Sequence, residues 1–180
     1  MLPLDAQPNA AHLKLAELEQ AGRLSAVITQ NIDGLHQKAG SRTVLELHGS
    51  IWRNHCMRCG KFYPPQAIAE DTRPVPLCTT CGGWIKPDVV LYEEGLEEDV
   101  LAAAVGYLRR ADMLIVAGTS LTVYPAAGLV RYFRGKNLVL INRDATPMDS
   151  LARLVIREKV GEVLARVQVH PLHDTSDASQ

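Results

Sequence analysis

Four cysteines in two closely spaced pairs constrain this chain more than any other feature of its sequence. The pairs are Cys56-Met57-Arg58-Cys59 and Cys78-Thr79-Thr80-Cys81, and because the chain has four cysteines in all, none is left over. A redox-active CxxC motif needs only one pair, and a disulfide framework is typical of smaller chains in oxidising compartments. Two such knuckles suit a zinc ion held tetrahedrally by four thiolates. The spacing therefore predicts one structural zinc ion, held by Cys56, Cys59, Cys78 and Cys81.

Length and composition indicate one domain, or one domain with a small insert. The chain has 180 residues, of which 47% are hydrophobic and 22% charged, as in ordinary globular proteins. Its formal net charge of −1 gives no basic surface for nucleic acid or anionic membranes. Neither an apolar run of about 18 residues nor a signal peptide is visible. We therefore expect a cytoplasmic protein and a monomer, with no membrane and no direct nucleic-acid partner.

Helices and strands alternate on both sides of the cysteine region, which predicts an α/β fold with a parallel sheet and helices on both faces. Predicted helices cover residues 9–22, 35–39, 97–110, 125–133 and 162–167. Predicted strands cover residues 25–31, 43–47, 113–120, 138–143 and 154–156, and residues 87–92 are predicted to be extended. The predicted division is a Rossmann-like domain formed by residues 1–52 and 86–169, a zinc-binding module at 53–85 and a flexible tail at 170–180.

Polar residues recur where three of the predicted strands end. They are Thr29-Gln30-Asn31, Gly118-Thr119-Ser120 and Asn142-Arg143. Ligands of open parallel sheets bind beyond the carboxyl ends of the strands, and a small polar turn before a helix suits a phosphate group. Ordinary loop polarity explains any one of these segments, but it explains all three poorly.

Taken together, these motifs resemble the sirtuins, a family of NAD-dependent protein deacylases. The stretch Thr29-Gln30-Asn31-Ile32-Asp33-Gly34-Leu35-His36 resembles the most diagnostic motif of the family, and Leu47-His48-Gly49 resembles its catalytic-histidine motif. The two cysteine pairs are similar to its zinc module, while residues 118–127 and Ile141-Asn142 are similar to its second and third nucleotide loops. The resemblance covers residues 9–167 and implies a Rossmann-like NAD-binding domain with a zinc ribbon.

The family resemblance also implies an activity. Sirtuins remove acetyl and other acyl groups from protein lysines while consuming NAD, and they release nicotinamide, O-acyl-ADP-ribose and free lysine. The expected partners are therefore proteins or peptides with acylated lysines, and the expected cofactors are NAD as co-substrate and one structural zinc ion.

One part of the family pattern does not occur in this sequence. Family members begin with a first strand, a GAGxS-type loop and an SGIPDFR-like motif, so the chain resembles a bacterial-type sirtuin without that region. We expect the first strand of the sheet to be absent. An alternative interpretation is a catalytically inactive remnant that acts as a zinc-containing peptide-binding module. A zinc-ribbon nucleic-acid binder is disfavoured by the net charge.

The resemblance assigns roles to individual residues. His48 is the expected catalytic base, because histidine side chains titrate near neutrality and can activate a ribose hydroxyl. The residues expected to contact NAD are Gln30, Asn31, Ile32, Asp33, Gly118, Thr119, Ser120, Asn142, Arg143 and Val160. The residues expected to contact an extended substrate peptide are Val89, Val90, Leu91, Tyr92, Leu121 and Val123. Glu93 stands where the family commonly has glycine, and it adds a charge near the peptide.

Overall fold

The structure, a computed structural model, describes residues 4–122 and 126–169. Helices and strands alternate through these residues, which confirms the predicted α/β class. In chain order the elements are α1 (Ala10–Gln20), β1 (Val27–Thr29), α2 (Leu35–Lys38), β2 (Val44–Glu46), β3 (Gly49–Cys56), β4 (Phe62–Tyr63), α3 (Pro65–Ala69), β5 (Ile85–Val89), α4 (Glu98–Arg110), β6 (Met113–Ala117), a 3₁₀ helix (Ala126–Tyr132), β7 (Asn137–Ile141), a second 3₁₀ helix (Asp149–Leu151), β8 (Leu154–Ile156) and α5 (Val160–Ala165). No helix in the described ranges is long and apolar enough to cross a membrane.

Helix α1 begins and ends where the sequence predicts. The side chain of Asn9 accepts a hydrogen bond from the backbone N–H of His12 at 3.3 Å and so caps the first turn. At the other end Gly22 has a φ of 69°, and the N–H of Arg23 donates to the carbonyl of Leu18 at 2.8 Å. This pattern is a Schellman motif, which needs a left-handed residue that glycine adopts without steric cost.

An antiparallel sheet with the strand order β4-β3-β5 carries the cysteine region. Its central strand β3 begins at Gly49, directly after His48, and ends at Cys56, so one strand joins the predicted base to the predicted metal site. The register of β3 and β5 shifts between Ser50 and Asn54. The Asn54 side chain is buried there, and it donates to the carbonyl of Ile51 at 3.2 Å.

The predicted single parallel sheet is divided in two. Strands β1 and β2 form one parallel pair, and β6, β7 and β8 form a parallel sheet in the order β6-β7-β8. Within the described residues no strand pairs β1 with β6, so each of these two strands has one open edge. Two apolar side chains on one face of β6 are exposed, Met113 at 53% and Ile115 at 38%.

Three local predictions need correction. The described part of the predicted helix at 125–133 is a 3₁₀ helix (Ala126–Tyr132) rather than an α-helix. The predicted strands at 25–31, 113–120 and 138–143 are shorter, since Val27–Thr29, Met113–Ala117 and Asn137–Ile141 pair while the polar residues that follow them form loops. The last helix begins two positions earlier than predicted, at Val160.

Side chains of β7 alternate between two buried clusters, as the pleat of a covered strand requires. Ile141 packs with Ala11 of α1 and Leu164 of α5 on one face of the sheet. Leu138 and Leu140 pack on the other face, in the cluster that includes residues of the first 3₁₀ helix. This packing brings the start of α1 and the start of α5 to the carboxyl end of β7.

Candidate functional site

The four cysteines lie together at one end of the antiparallel sheet, and none forms a disulfide. Their Sγ atoms all lie within 4.8 Å of one another. The Sγ atoms of Cys56 and Cys81 are 3.5 Å apart, and those of Cys59 and Cys78 are 3.6 Å apart. Thiolates bound to a tetrahedral zinc ion at about 2.3 Å would be about 3.8 Å from one another. The cluster therefore has the dimensions of a zinc site.

Hydrogen bonds to the Sγ of Cys78 favour the thiolate form that zinc requires. The hydroxyl of Tyr63 donates to the Sγ of Cys78 at 3.2 Å and the N–H of Thr80 donates to it at 3.4 Å. These bonds, the tyrosine hydroxyl above all, lower the pKa of Cys78 to about 5. Gly83 packs so closely that a Cβ there would be 2.9 Å from the Sγ of Cys56. Four sulfur ligands leave no open position, so the bound zinc ion is structural.

A cavity of about 730 Å³ lies at the carboxyl ends of β6 and β7, within the usual size range of ligand pockets. Five residues that the sequence assigns to NAD line it: Gly118, Ser120, Asn142, Arg143 and Val160. The strands that end in these loops are neighbours in the sheet, paired from Met113 with Asn137 to Ala117 with Ile141. The structure thus brings the two polar segments 118–120 and 142–143 together, as the sequence predicts.

Backbone geometry at Gly118 keeps this cavity open. Its φ is 64°, its N–H donates to the carbonyl of Ile141 at 3.0 Å, and a Cβ there would lie 3.6 Å from Val160. Any side chain beyond Cβ would enter the space between β6 and α5. The side-chain amide of Asn142 donates to the carbonyl of Asp144 at 3.0 Å, which orients it at the rim.

Gln30 connects the segment 118–120 to His48, although neither Gln30 nor Thr119 is among the residues that line the cavity. Its side-chain Nε2 lies 3.5 Å from the Oγ1 of Thr119, and its backbone carbonyl lies 3.0 Å from the Nδ1 of His48. Because a carbonyl only accepts hydrogen bonds, Nδ1 must carry the ring proton. The Nε2 of His48 then keeps its lone pair, which is the arrangement that a general base needs.

The other side of His48 faces the segment predicted to bind peptide. The carbonyl of His48 accepts a hydrogen bond from the N–H of Val90 at 3.1 Å. Gly49 has a φ of 74°, and a Cβ there would lie 1.9 Å from the carbonyl oxygen of Asp88, so only glycine permits this close approach. Strand β5 pairs with β3 alone among the described strands, which leaves its other edge open for an added strand.

One of the predicted peptide contacts differs from the expectation. Leu121 has a φ of 55°, and its side chain is buried in the cluster with Leu138 and Leu140, so that side chain is not available to a ligand. Val123 lies outside the described residues. In the remaining segment Val89 and Val90 are half-buried, whereas Leu91 and Tyr92 are exposed.

The loop between β1 and α2 holds Asn31, Ile32 and Asp33, and none of the three lines the cavity. A carboxylate oxygen of Asp33 accepts from the N–H of Leu35 at 2.9 Å, so Asp33 supports the start of α2 although Gly34 is the residue at the cap. Asn31 is exposed, and its backbone N–H donates to the Oγ1 of Thr29 at 3.1 Å.

Sequence reasoning missed about half of the cavity lining. The missed residues are Asn9, Ala10, Asp144, Ala145, Glu158, Lys159 and Gly161. Asn9 has a visible signal as a helix cap, but its position beside the cavity depends on the packing of α1 against α5. Glu158 and Lys159 precede a short helix and carry no motif.

Comparison with known proteins shows close relatives. A family model described as the Sir2 family matches residues 1–125. An NAD-dependent protein deacetylase of Clostridium acetobutylicum is 55% identical over 167 residues, which are 93% of this chain and 68% of the relative. One from Clostridium perfringens is 57% identical over 164 residues, 91% of this chain and 67% of the relative. The chain thus spans about two thirds of the length of these curated relatives.

Solved structures are similar over most of the chain. A Sir2 protein with a p53 peptide and NAD+ has a TM-score of 0.85 and 46% identity, covering 91% of this chain and 70% of that one. A Sir2 protein bound to a propionylated peptide has a TM-score of 0.87 and 44% identity, covering 93% of this chain and 73% of that one.

Proposed function

The chain belongs to the Sir2 family, and from that premise we propose that it is an NAD-dependent protein-lysine deacetylase. The observation that carries the proposal is a continuous series of contacts. The segment 118–120 contacts Gln30 through Thr119, Gln30 holds the ring of His48, and the carbonyl of His48 holds Val90 directly after β5. A nucleotide that extends from the cavity towards Gln30 and a peptide along the segment 89–92 would both approach His48.

The cavity suits a dinucleotide, since its volume is about 730 Å³. The glycine turn after β6 suits phosphate groups and a ribose. The start of α1 does so too, because its partial positive charge favours anions. We assign the binding of NAD to Gly118, Thr119, Ser120, Asn142, Arg143 and Val160 on one side, and to the loop 30–33 on the other, with Asn31 and Asp33 at the nicotinamide end.

NAD, when bound, supplies an electrophilic sugar carbon that the acyl oxygen of lysine attacks as nicotinamide leaves. The residues of this chain bind and orient the reactants, and His48 handles the proton. With Nδ1–H directed at the carbonyl of Gln30, the Nε2 of His48 would be able to accept a proton from a ribose hydroxyl and so help to transfer the acyl group from lysine to the sugar, with one water molecule consumed as the lysine amine is released. A positioned base of this kind contributes about 10²- to 10⁴-fold to a rate.

The peptide is proposed to bind as an additional strand at the free edge of β5 and along the segment 89–92. Main-chain hydrogen bonds then supply most of the affinity, with little demand on the peptide sequence. Val90 and Leu91 are assigned to the acyl-lysine side chain. Acetyl is the proposed acyl group, in line with the names of the bacterial relatives.

The remaining expectations belong to the same proposal. We place the protein in the cytoplasm, where cysteine side chains stay reduced and can bind zinc, as a monomer without a nucleic-acid partner. We retain the division into a Rossmann-like domain at 1–52 and 86–169 and a zinc module at 53–85. The predicted tail at 170–180 lies outside the described residues.

The test is a turnover experiment with the protein in excess over an acetyl-lysine peptide, so that slow turnover is also detected. We expect equal amounts of nicotinamide, deacetylated peptide and O-acetyl-ADP-ribose, and no deacetylation when NAD is omitted. Peptide binding without any release of nicotinamide, from folded protein that holds zinc and binds NAD, would instead support a non-catalytic binding module.

A further inference from the structure

We propose that Trp52 is a positioning residue for the nicotinamide half of the site. Its indole ring fixes the loop 31–34, and through this loop it sets how well the nicotinamide end of NAD is bound. The inference rests on the proposed function, specifically on the assignment of Asn31 and Asp33 to the nicotinamide end.

Strand β3 holds the main chain of this loop at two consecutive positions. The indole Nε1–H of Trp52 donates to the carbonyl of Asp33 at 2.7 Å. The backbone N–H of Ile51 donates to the carbonyl of Ile32 at 3.1 Å. Adjacent residues of one strand thus bind adjacent carbonyls of the loop, although β3 and the loop form no sheet together.

The ring of Trp52 also packs directly against Gly34. A Cβ at Gly34 would lie 2.7 Å from both the Cδ1 and the Nε1 of the indole, and Gly34 has a φ of 69°. The hydrogen bond from Trp52 and the packing of its ring against Gly34 therefore both hold the loop in place. A side chain at position 34 would push the ring and the loop apart.

The loop presents its functional groups while its backbone is held. Asp33 is bound at its carbonyl by Trp52 and at its carboxylate by the N–H of Leu35 at 2.9 Å. Asn31 is exposed, with its backbone N–H bound to Thr29. Preorganisation of this kind raises affinity because little ordering remains to be done when the ligand binds.

Two substitutions separate the hydrogen bond from simple packing. Trp52→Phe keeps an aromatic ring against Gly34 but removes the N–H donor. Trp52→His places Nε2 two ring atoms from Cγ, the same ring position as Nε1 of an indole, so a neutral imidazole can restore the donor. Trp84→Phe is the matched control, since Trp84 is 69% exposed and lies in the cysteine region.

The experiment compares two ligands, NAD and ADP-ribose, which differ by the nicotinamide group. Affinities are measured by ligand-observed NMR titration at pH 8, where histidine is neutral. We expect Trp52→Phe to weaken NAD binding roughly 3- to 10-fold, the usual effect of one lost hydrogen bond, with ADP-ribose affinity changed less than about twofold. Trp52→His should recover most of the NAD affinity, and Trp84→Phe should change neither ligand.

Hydrogen exchange of residues 30–36 provides a readout that needs no ligand. Exchange there should become faster in Trp52→Phe and return towards the original rate in Trp52→His. Equal losses of NAD and ADP-ribose affinity, or no loss of either, would overturn the role of Trp52. If the unchanged protein binds both ligands yet never releases nicotinamide from NAD and acetyl-peptide, the proposed function fails, while the difference between the two ligands still decides the role of Trp52.

Discussion

The zinc module and the nucleotide cavity are built in opposite ways. The zinc ligands lie within residues 56–81, and a small cluster of Cys56, Tyr63, Cys78 and Ile85 forms the local core. The cavity draws its lining from residues between Asn9 and Gly161, brought together by parallel strands and by the packing of α1 on α5. A local motif thus defines the first region, whereas the second depends on nearly the whole chain.

The two regions also have different sources of stability. The module has few buried apolar side chains, so metal binding must supply much of its folding free energy. The parallel strands depend on neighbours instead, and β1 and β6 each lack one among the described residues. Removal of the zinc ion should therefore unfold the zinc module, and substitutions at the open strand edges should destabilise the parallel strands beside the nucleotide cavity.

Loss of one zinc ligand should have the largest effect. Cys78→Ala is expected to abolish cooperative folding of residues 49–89, because a structural zinc site contributes on the order of 10 kcal/mol. Metal analysis should give one zinc ion per chain before the change and almost none after it. Thr80→Ala, an exposed change in the same knuckle, is the control; less than half an equivalent of zinc in the freshly purified, unaltered protein would refute the assignment.

Replacement of the base should remove turnover but leave both regions folded. His48→Ala is expected to slow deacetylation about 10²- to 10⁴-fold, measured in single turnover, with zinc content and NAD affinity nearly unchanged. Release of nicotinamide should be affected less than deacetylation, because the base acts only after the bond between the acyl oxygen and the sugar carbon has formed. His55→Ala tests another histidine near the cysteine region, and its rate should stay close to that of the unaltered protein. Near-normal deacetylation in His48→Ala would reject the role of this residue.

The open edge of β6 should make the 180-residue chain only marginally stable and prone to aggregate. Ile115, which is 38% exposed, is the residue to change, since a lysine on an edge strand opposes pairing between molecules. Ile115→Lys should raise the soluble fraction after mild heating roughly twofold or more, without loss of zinc. Leu140→Lys in the same sheet, at a fully buried position, should instead prevent folding. A high, reversible melting temperature of the unaltered chain would contradict this expectation.

Acid should weaken the contact of α1 with α2 before it affects zinc. Burial lowers the pKa values of His12 and His36, whose rings lie 4.6 Å apart; the carboxylate of Asp33 opposes this effect in both. Because both groups bind protons more readily in the unfolded chain, the free energy of unfolding is highest above pH 6.5 and falls as the pH drops below that value. His36→Gln should reduce the decrease in melting temperature between pH 7.5 and 5.5 by about 2–4 °C. An equal slope in the altered and unaltered proteins would exclude the histidine pair as the cause.

The difference between the zinc module and the cavity also decides which features the sequence could predict. The cysteine spacing predicts the zinc cluster completely, because two knuckles encode their own geometry. The polar strand ends predict the meeting of Gly118 with Asn142, since neighbouring parallel strands must end together. The position of Lys159 in the cavity lining and the contact of Trp52 with Asp33 could not be predicted, because they depend on how separate elements pack. The buried side chain of Leu121 is a further example, since its motif does not reveal which way a left-handed residue points.

The proposed function is tested most directly by whether the cavity beside Gly118 binds NAD. NAD is titrated into the 180-residue chain and into two variants, Gly118→Val and Gly82→Val. Both glycines have positive φ, 64° and 69°, but a Cβ at Gly82 meets no atom within 4 Å, so the second variant carries the same backbone strain away from the cavity. We expect weak, saturable binding that Gly118→Val reduces at least ~10-fold through steric crowding and that Gly82→Val leaves within about twofold. Equal affinities in the two variants, or no saturable binding by folded, zinc-loaded protein, would contradict this prediction.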